Sequence, residues 1–140
     1  MSKAAYGFEY TPPSALLSAA EKGWLVLPYP PSVNHYYRNV SGRTLISAAG
    51  RAYRVRVAVE MSLQRPKPIR GPMRGRLRLE VEVSPPDRRR RDLDNILKAL
   101  LDALQHAGLY GDDSQIDELE MRRRVPISSG RVVVRCREIA

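Results

Sequence analysis

Leu93, Ile96, Leu97, Leu100, Leu101 and Leu104 fall on one side of a helical wheel that turns by about 100° per residue, an apolar stripe that has to be covered by something. Upstream, the run RLRLEVEV sets Leu77, Leu79, Val81 and Val83 against Arg76, Arg78, Glu80 and Glu82. That strict alternation is the period of a strand with one core face and one wet face. A strand and an amphipathic helix joined by PPDRRRRD demand a layered fold in which helix covers sheet.

The other segments fit around this unit. Trp24 to Leu27 reads as a first strand ended by Pro28, Pro30 and Pro31. Ser32 to Thr44 reads as a loop rich in aromatic and basic residues. Ser47 can cap a helix from Ala48 to Leu63, with Ala52, Val55, Val59 and Leu63 as its inward stripe, stopped by Pro66 and Pro68. The segment from there to Gly75 reads as a mobile connection, and Gly108 as the C-cap of the second helix. Ile116 to Val125 and Arg131 to Ile139 read as two strands turned by Ser128 to Gly130 into a hairpin. The predicted order is β-α-β-α-β-β: an α+β single domain with a mixed sheet and both helices on one face. Residues 1–23, with Pro12, Pro13 and a short Ala/Leu segment, read as an extension, partly disordered or one small helix, and the domain proper as residues 24–140.

Charge narrows the partner. The 140 residues carry 24 Lys plus Arg against 15 Asp plus Glu, a formal charge of +9, which favours nucleic acid. No apolar run approaches membrane-spanning length, and no leader pattern opens the chain, so a cytoplasmic protein is expected. The lone cysteine, Cys136, cannot form an internal disulfide and reads as a structural thiol. His35 and His106 are too isolated to support a zinc site or a Ser-His-Asp arrangement.

The chemistry concentrates in PDRRRRDLDN. Arg88, Arg89, Arg90 and Arg91 at a helix N-terminus oppose the helix dipole, so stability alone does not place them there. Carboxylates inside such a patch are what a metal-dependent nuclease needs: arginines hold phosphates while carboxylates hold the cation. Asp92 and Asp94 cannot both ride one helix flank, because two residues of rotation separate them by about 200°. Asp92 therefore reads as the N-cap and Asp94 as helical, one turn from Lys98. The plainer interpretation makes the aspartates caps and Lys98 half of an exposed i,i+4 pair contributing about 0.3–0.5 kcal/mol. In the earlier loop, Asn34, Tyr36, Tyr37, Arg38 and Arg43 suit base stacking with phosphate contact, the alternative being one core tyrosine among surface neighbours.

Taken with PYPPSVNHYYR, SGRTLIS, AAGRAYR, PDRRRRDLDNILKALLDAL, AGLYGDDSQI and the closing GRVVV strand, the chain resembles the RusA family of Holliday-junction resolvases, small dimeric phage and bacterial endonucleases. The resemblance runs from about Leu27 to Glu138. It implies that Asp92, Asp94 and Asp113 are the essential acidic residues and metal ligands, that Lys98 is a functional basic residue of the site, and that Mg²⁺ is the cofactor. It also implies a homodimer that cuts four-way junction DNA by paired symmetric nicks in recombination and repair, with no small-molecule substrate. Asn95 and Arg91 match the family motif as well. Val33, in the P-P-S-x-N turn, and the N-terminal 23 residues depart from the pattern. The donor chemistry agrees, since Mg²⁺ takes carboxylate oxygens and keeps several waters.

One geometric difficulty stands. A helix of roughly 15 residues at about 1.5 Å each would hold Asp113 more than about 20 Å from Asp92 and Asp94. Either Gly108 to Asp112 runs back along the helix or Asp113 arrives from a partner chain. A competing reading makes the chain a non-catalytic basic DNA-binding architectural protein whose aspartates are only caps. A third, an RNA-binding ribosome-associated module, leaves the aspartates unexplained.

Overall fold

The computed structural model describes residues 2–3, 9–10, 23–64 and 71–139. The expected helix in the extension and the start of the connection after Gln64 lie outside the described residues. Two short strands, Ser2–Lys3 and Glu9–Tyr10, pair antiparallel.

The main body is a four-stranded mixed sheet with helices packed on it. In chain order it comprises β1 (Trp24–Pro28), α1 (Val33–Tyr36), β2 (Tyr37–Val40), β3 (Arg43–Ile46), α2 (Ala48–Gln64), β4 (Arg76–Ser84), a 3-10 turn (Leu93–Ile96) leading into α3 (Leu97–His106), a second 3-10 turn (Asp113–Gln115), β5 (Ile116–Arg123) and β6 (Arg131–Ile139). The sheet order is β1-β6-β4-β5, with β4 and β5 parallel and the other pairs antiparallel. The mixed α+β class is the expected one.

Alternation in β4 works as its sequence demands: Leu77, Leu79, Val81 and Val83 are buried. They share one core with Leu25 and Leu27 of β1, Val132 and Val134 of β6, and the inward residues of both long helices. On the other face Arg78 pairs with Glu80, Glu118 and Glu120, Arg135 with Glu80, and Arg124 with Glu82. The α3 stripe buries Ile96, Leu100 and Leu104 with Ala99 and Ala103, and leaves Leu93 and Leu101 partly buried. Gly108, at φ +86°, ends α3, its N–H bonding Gln105 O and that of Leu109 bonding Leu104 O. Ser47 caps α2 as expected, its Oγ accepting from the Gly50 N–H at 3.0 Å.

Three expectations are corrected. The last two strands are not a hairpin, because β4 lies between them. The near-continuous apolar run RVVV suits a central strand, whereas IDELEMRR is charged along its length and takes the edge. The inward stripe of α2 is Gly50, Tyr53, Val57 and Met61, while Ala52, Val55, Val59 and Leu63 face outward, with Val55 63% and Leu63 74% exposed. Both stripes have helical spacing. The buried one carries the larger Tyr53 and Met61, and a Cβ at Gly50 would stand 2.6 Å from the Tyr36 carbonyl oxygen, so that face alone permits close approach. Finally, Ser32 to Thr44 is not a plain loop: it holds α1 and most of the β2–β3 hairpin.

Candidate active site

Beyond β4 the chain leaves the sheet through Pro85 and Pro86, and the arginine run begins. Asp87 folds it locally. Its carboxylate accepts from the Arg89 N–H at 2.9 Å and pairs with the Arg91 guanidinium. Those hydrogen bonds, from Arg91 first and then the Arg89 backbone, hold the Asp87 carboxyl at about 2. Arg91 O in turn accepts from the Arg123 guanidinium at the end of β5, which pins the run to the sheet edge. Arg88, Arg89 and Arg90 project into solvent, and among the described residues Arg88 and Arg90 have no ion-pair partner.

Asp92 stands at the N-cap of the first 3-10 turn with extended backbone (φ −85°, ψ 140°), as expected, yet its side chain caps nothing. Asp94 lies within that turn rather than in α3. Both are exposed, and among the described residues neither carboxylate accepts a hydrogen bond or forms an ion pair. Asp94 and Lys98 therefore form no salt bridge, so the i,i+4 pair is not what places them. Both carboxylates are thus left to solvent within a few residues of four arginines.

Asp113 sits at the far end of α3. Its N–H donates to Gln105 Oε1 at 2.9 Å. Asp112 supplies the cap of this second 3-10 turn, accepting from the Ser114 N–H at 2.9 Å, while Gln115 Oε1 accepts from the N–H groups of Gly111 and Asp112. Gly108 to Asp112 thus stays at the C-terminal end of the helix; only the Tyr110 side chain reaches back, its hydroxyl donating to Leu101 O at 2.7 Å. No group of three His, Cys, Asp or Glu among the described residues is gathered closely enough to hold a metal ion, so one chain does not bring Asp92, Asp94 and Asp113 together.

Midway along α3 a cluster escaped sequence reasoning. Arg54 of α2 bonds Asp102 Oδ2 through Nε at 3.0 Å and Nη2 at 2.6 Å, and its Nε also donates to the Tyr36 hydroxyl at 2.9 Å. The Tyr36 hydroxyl donates to the same carboxylate oxygen. Burial disfavours the charged form of Asp102, but Tyr36 and Arg54 outweigh it and hold its carboxyl below the usual range, helped by the charge of Lys98. Burial, with the hydrogen bond to Asp102, pushes the Tyr36 hydroxyl well above its ordinary value. Tyr36 is fully buried, which corrects its assignment to DNA contact. The neighbouring Tyr37 is half-buried and packed edge-on against Tyr36, and Asn34, Arg38 and Arg43 are exposed. The available signal for the cluster was the polar flank of α3 itself: Asp94, Lys98 and Asp102 recur every four residues.

The family model described as Endodeoxyribonuclease RusA matches residues 28–137, a span that takes in every element from the end of β1 into β6. The chain belongs to the RusA family. It is 43% identical over 114 residues to the crossover junction endodeoxyribonuclease rusA of Enterobacteria phage HK97, covering 81% of this chain and 92% of that protein. Enzymes of the same name from Escherichia coli strain K12 and Enterobacteria phage 82 are each 42% identical over 113 residues, covering 76% of this chain and 85% of theirs. A RusA chain is thereby an endodeoxyribonuclease, with relatives in both phage and bacterial genomes. No helix among the described residues is long and apolar enough to cross a membrane.

Proposed function

We propose that this protein is a Mg²⁺-dependent, structure-selective endodeoxyribonuclease that resolves Holliday junctions by paired symmetric nicks, working as a homodimer in the cytoplasm during recombination and repair. The observation that carries the chemistry is the pair of unengaged carboxylates, Asp92 and Asp94, beside the arginine run. Their oxygen donors fit a hard cation that keeps several waters. Bound there, Mg²⁺ would neutralise charge on the scissile phosphate and ease deprotonation of the attacking water.

The chain's own residues do the rest. Asp92 and Asp94 present oxygens from adjacent backbone segments, a cap and a 3-10 turn. Lys98, exposed and without an ion pair among the described residues, places its ammonium one turn along to stabilise the charge that grows on the phosphorus oxygens. Arg88, Arg89 and Arg90 hold the flanking phosphates, while Arg91 is engaged by Asp87 and shapes the turn. Asn34 of α1 and Tyr37, Arg38 and Arg43 of the hairpin engage the junction arms. Asp113 completes the carboxylate set from the partner chain, since its own chain keeps it at the other end of α3. Two symmetric sites in a two-fold dimer suit two symmetric cuts.

The test is a Mg²⁺ titration of cleavage on a synthetic four-way junction against a duplex of the same sequence. Nicks in opposing strands of the junction, absent with EDTA and weak on the duplex, are expected. Junction binding without metal-dependent cleavage would return the chain to the architectural class.

A further inference from the structure

Three donors converge on one oxygen of Asp102. Arg54 Nε at 3.0 Å, Arg54 Nη2 at 2.6 Å and the Tyr36 hydroxyl all meet Oδ2. The other oxygen, Oδ1, accepts no hydrogen bond among the described residues, although the side chain is only 25% exposed. A carboxylate has about four lone-pair sites, so this one keeps capacity for a further donor.

The cation on the same flank of α3 is Lys98, one helical turn earlier. Residues four apart on a helix bring their Cβ atoms to about 5–6 Å. The charge of Lys98 already adds to what holds the Asp102 carboxyl below the usual range, yet no ion pair closes between them among the described residues. Asp94 stands one turn away on the other side. Lys98 therefore lies between two carboxylates and is fastened to neither.

Those two carboxylates are unequal. Asp94 is exposed in its 3-10 turn, and no hydrogen bond fixes its side chain. Asp102 is immobilised, because Arg54 comes from α2 and Tyr36 closes α1, so three helices meet at its carboxylate. Tyr36 is anchored in turn: its carbonyl oxygen accepts from the Ser47 N–H at 2.9 Å and from Ser47 Oγ at 3.0 Å. Helix geometry favours an acid four residues before a base, so the flexible lysine stem is drawn toward Asp94. Closing that pair would occupy one of the two open carboxylates. A fixed negative charge on the opposite side resists it.

We infer that Asp102 is a positioning residue for the cleavage reaction: its free Oδ1, fixed in place by Arg54 and Tyr36, restrains the Lys98 ammonium from collapsing onto Asp94 and keeps it available to the phosphate. This rests on the part given to Lys98 in the proposed reaction. Asp102, Arg54 and Tyr36 act only through the lysine.

A double-mutant cycle on the full-length chain tests it. Single-turnover cleavage of a synthetic four-way junction at saturating protein is compared for wild type, Asp102→Asn, Lys98→Ala and the double variant, with junction affinity measured separately in the absence of metal at fixed salt. Asp102→Asn is expected to lower the rate about tenfold, within the range of coupling between interacting residues, and to leave affinity within about twofold of wild type. In the Lys98→Ala background the same substitution should change the rate by less than about twofold, since the group it positions is gone. An equal loss in both backgrounds overturns the inference, because damage to the fold does not depend on the lysine; so does an unchanged rate in Asp102→Asn alone. Should Asp102→Asn fail to fold, Tyr36→Phe repeats the cycle, removing one hydroxyl and leaving the buried ring in place. A smaller loss with the same dependence on Lys98 is expected, and a loss independent of Lys98 overturns the inference. A Lys98→Ala chain that cleaves at the wild-type rate overturns the lysine's part in the proposed reaction as well, whereas a slow Lys98→Ala chain with additive losses overturns the inference alone.

Discussion

The two ends of α3 hold the same residue type in opposite circumstances. At the N-terminal end Asp92 and Asp94 are exposed and accept nothing among the described residues, although arginines crowd the approach. At the C-terminal end Asp113 is fastened through its backbone to Gln105 and framed by the Asp112 and Gln115 capping box. One end is open, its carboxylates unengaged, and the other is a rigid mount for the Asp113 backbone. Between them the Arg54–Asp102–Tyr36 cluster ties α3 to α2 and to the hairpin that carries Tyr37.

The contrast can be broken most severely at the open end. Asp94→Asn should lower single-turnover junction cleavage by roughly 10³-fold or more, about 4 kcal/mol of transition-state stabilisation, with junction affinity retained or improved; persistent cleavage by this variant would remove Asp94 from the site. Lys98→Ala should cost about 10²-fold in the cleavage rate with little change in binding, as for loss of one charge-stabilising group. An effect on affinity alone would make Lys98 a phosphate anchor instead. Gln105→Ala frees the mount at the other end and should cost roughly tenfold in rate, comparable to loss of a supporting hydrogen bond around a ligand. An unchanged rate would show that the anchored backbone of Asp113 is irrelevant to catalysis.

Smaller effects sharpen the same picture. Removing Arg88 and Arg90 together should reduce the slope of log affinity against log salt by about 0.9 for each phosphate no longer neutralised, read from junction binding across a salt series without metal. Asp102→Asn should destabilise by about 1–2 kcal/mol at pH 7 in urea unfolding, through weakened bonds to Arg54 and Tyr36. Because the native carboxyl is held below its unfolded value of about 3.9, its contribution is present above that pH and is lost as pH falls through the native value. The difference between wild type and variant should therefore shrink on acidification below about pH 4; a constant difference down to about pH 2.5 contradicts the charge-based cluster.

The elements whose sequence period has one solution were readable without coordinates. RLRLEVEV could bury only its leucines and valines, Ser47 could cap only the helix that follows, and Gly108 ends α3 in the left-handed conformation that glycine favours. The stripe of α2 was not readable, because Val55, Val59 and Leu63 repeat at the same interval as Tyr53, Val57 and Met61. The choice was made by Gly50 against the Tyr36 backbone, where two segments meet. Tyr36 and Tyr37 are likewise indistinguishable as neighbours in a sequence, and only the approach of Arg54 and Asp102 draws one hydroxyl into the interior.

The sequence by itself determined the mixed α+β class, the arginine run and the N-cap position of Asp92, because local period, capping chemistry and motif spacing are properties of adjacent residues. Tertiary structure decided that β4 separates β5 from β6, that Asp92 and Asp94 stand unpaired, and that Asp113 is held at the opposite end of α3. Strand order and the distance between two ends of a helix depend on which surfaces are buried together, and that competition is settled only when the whole chain is packed.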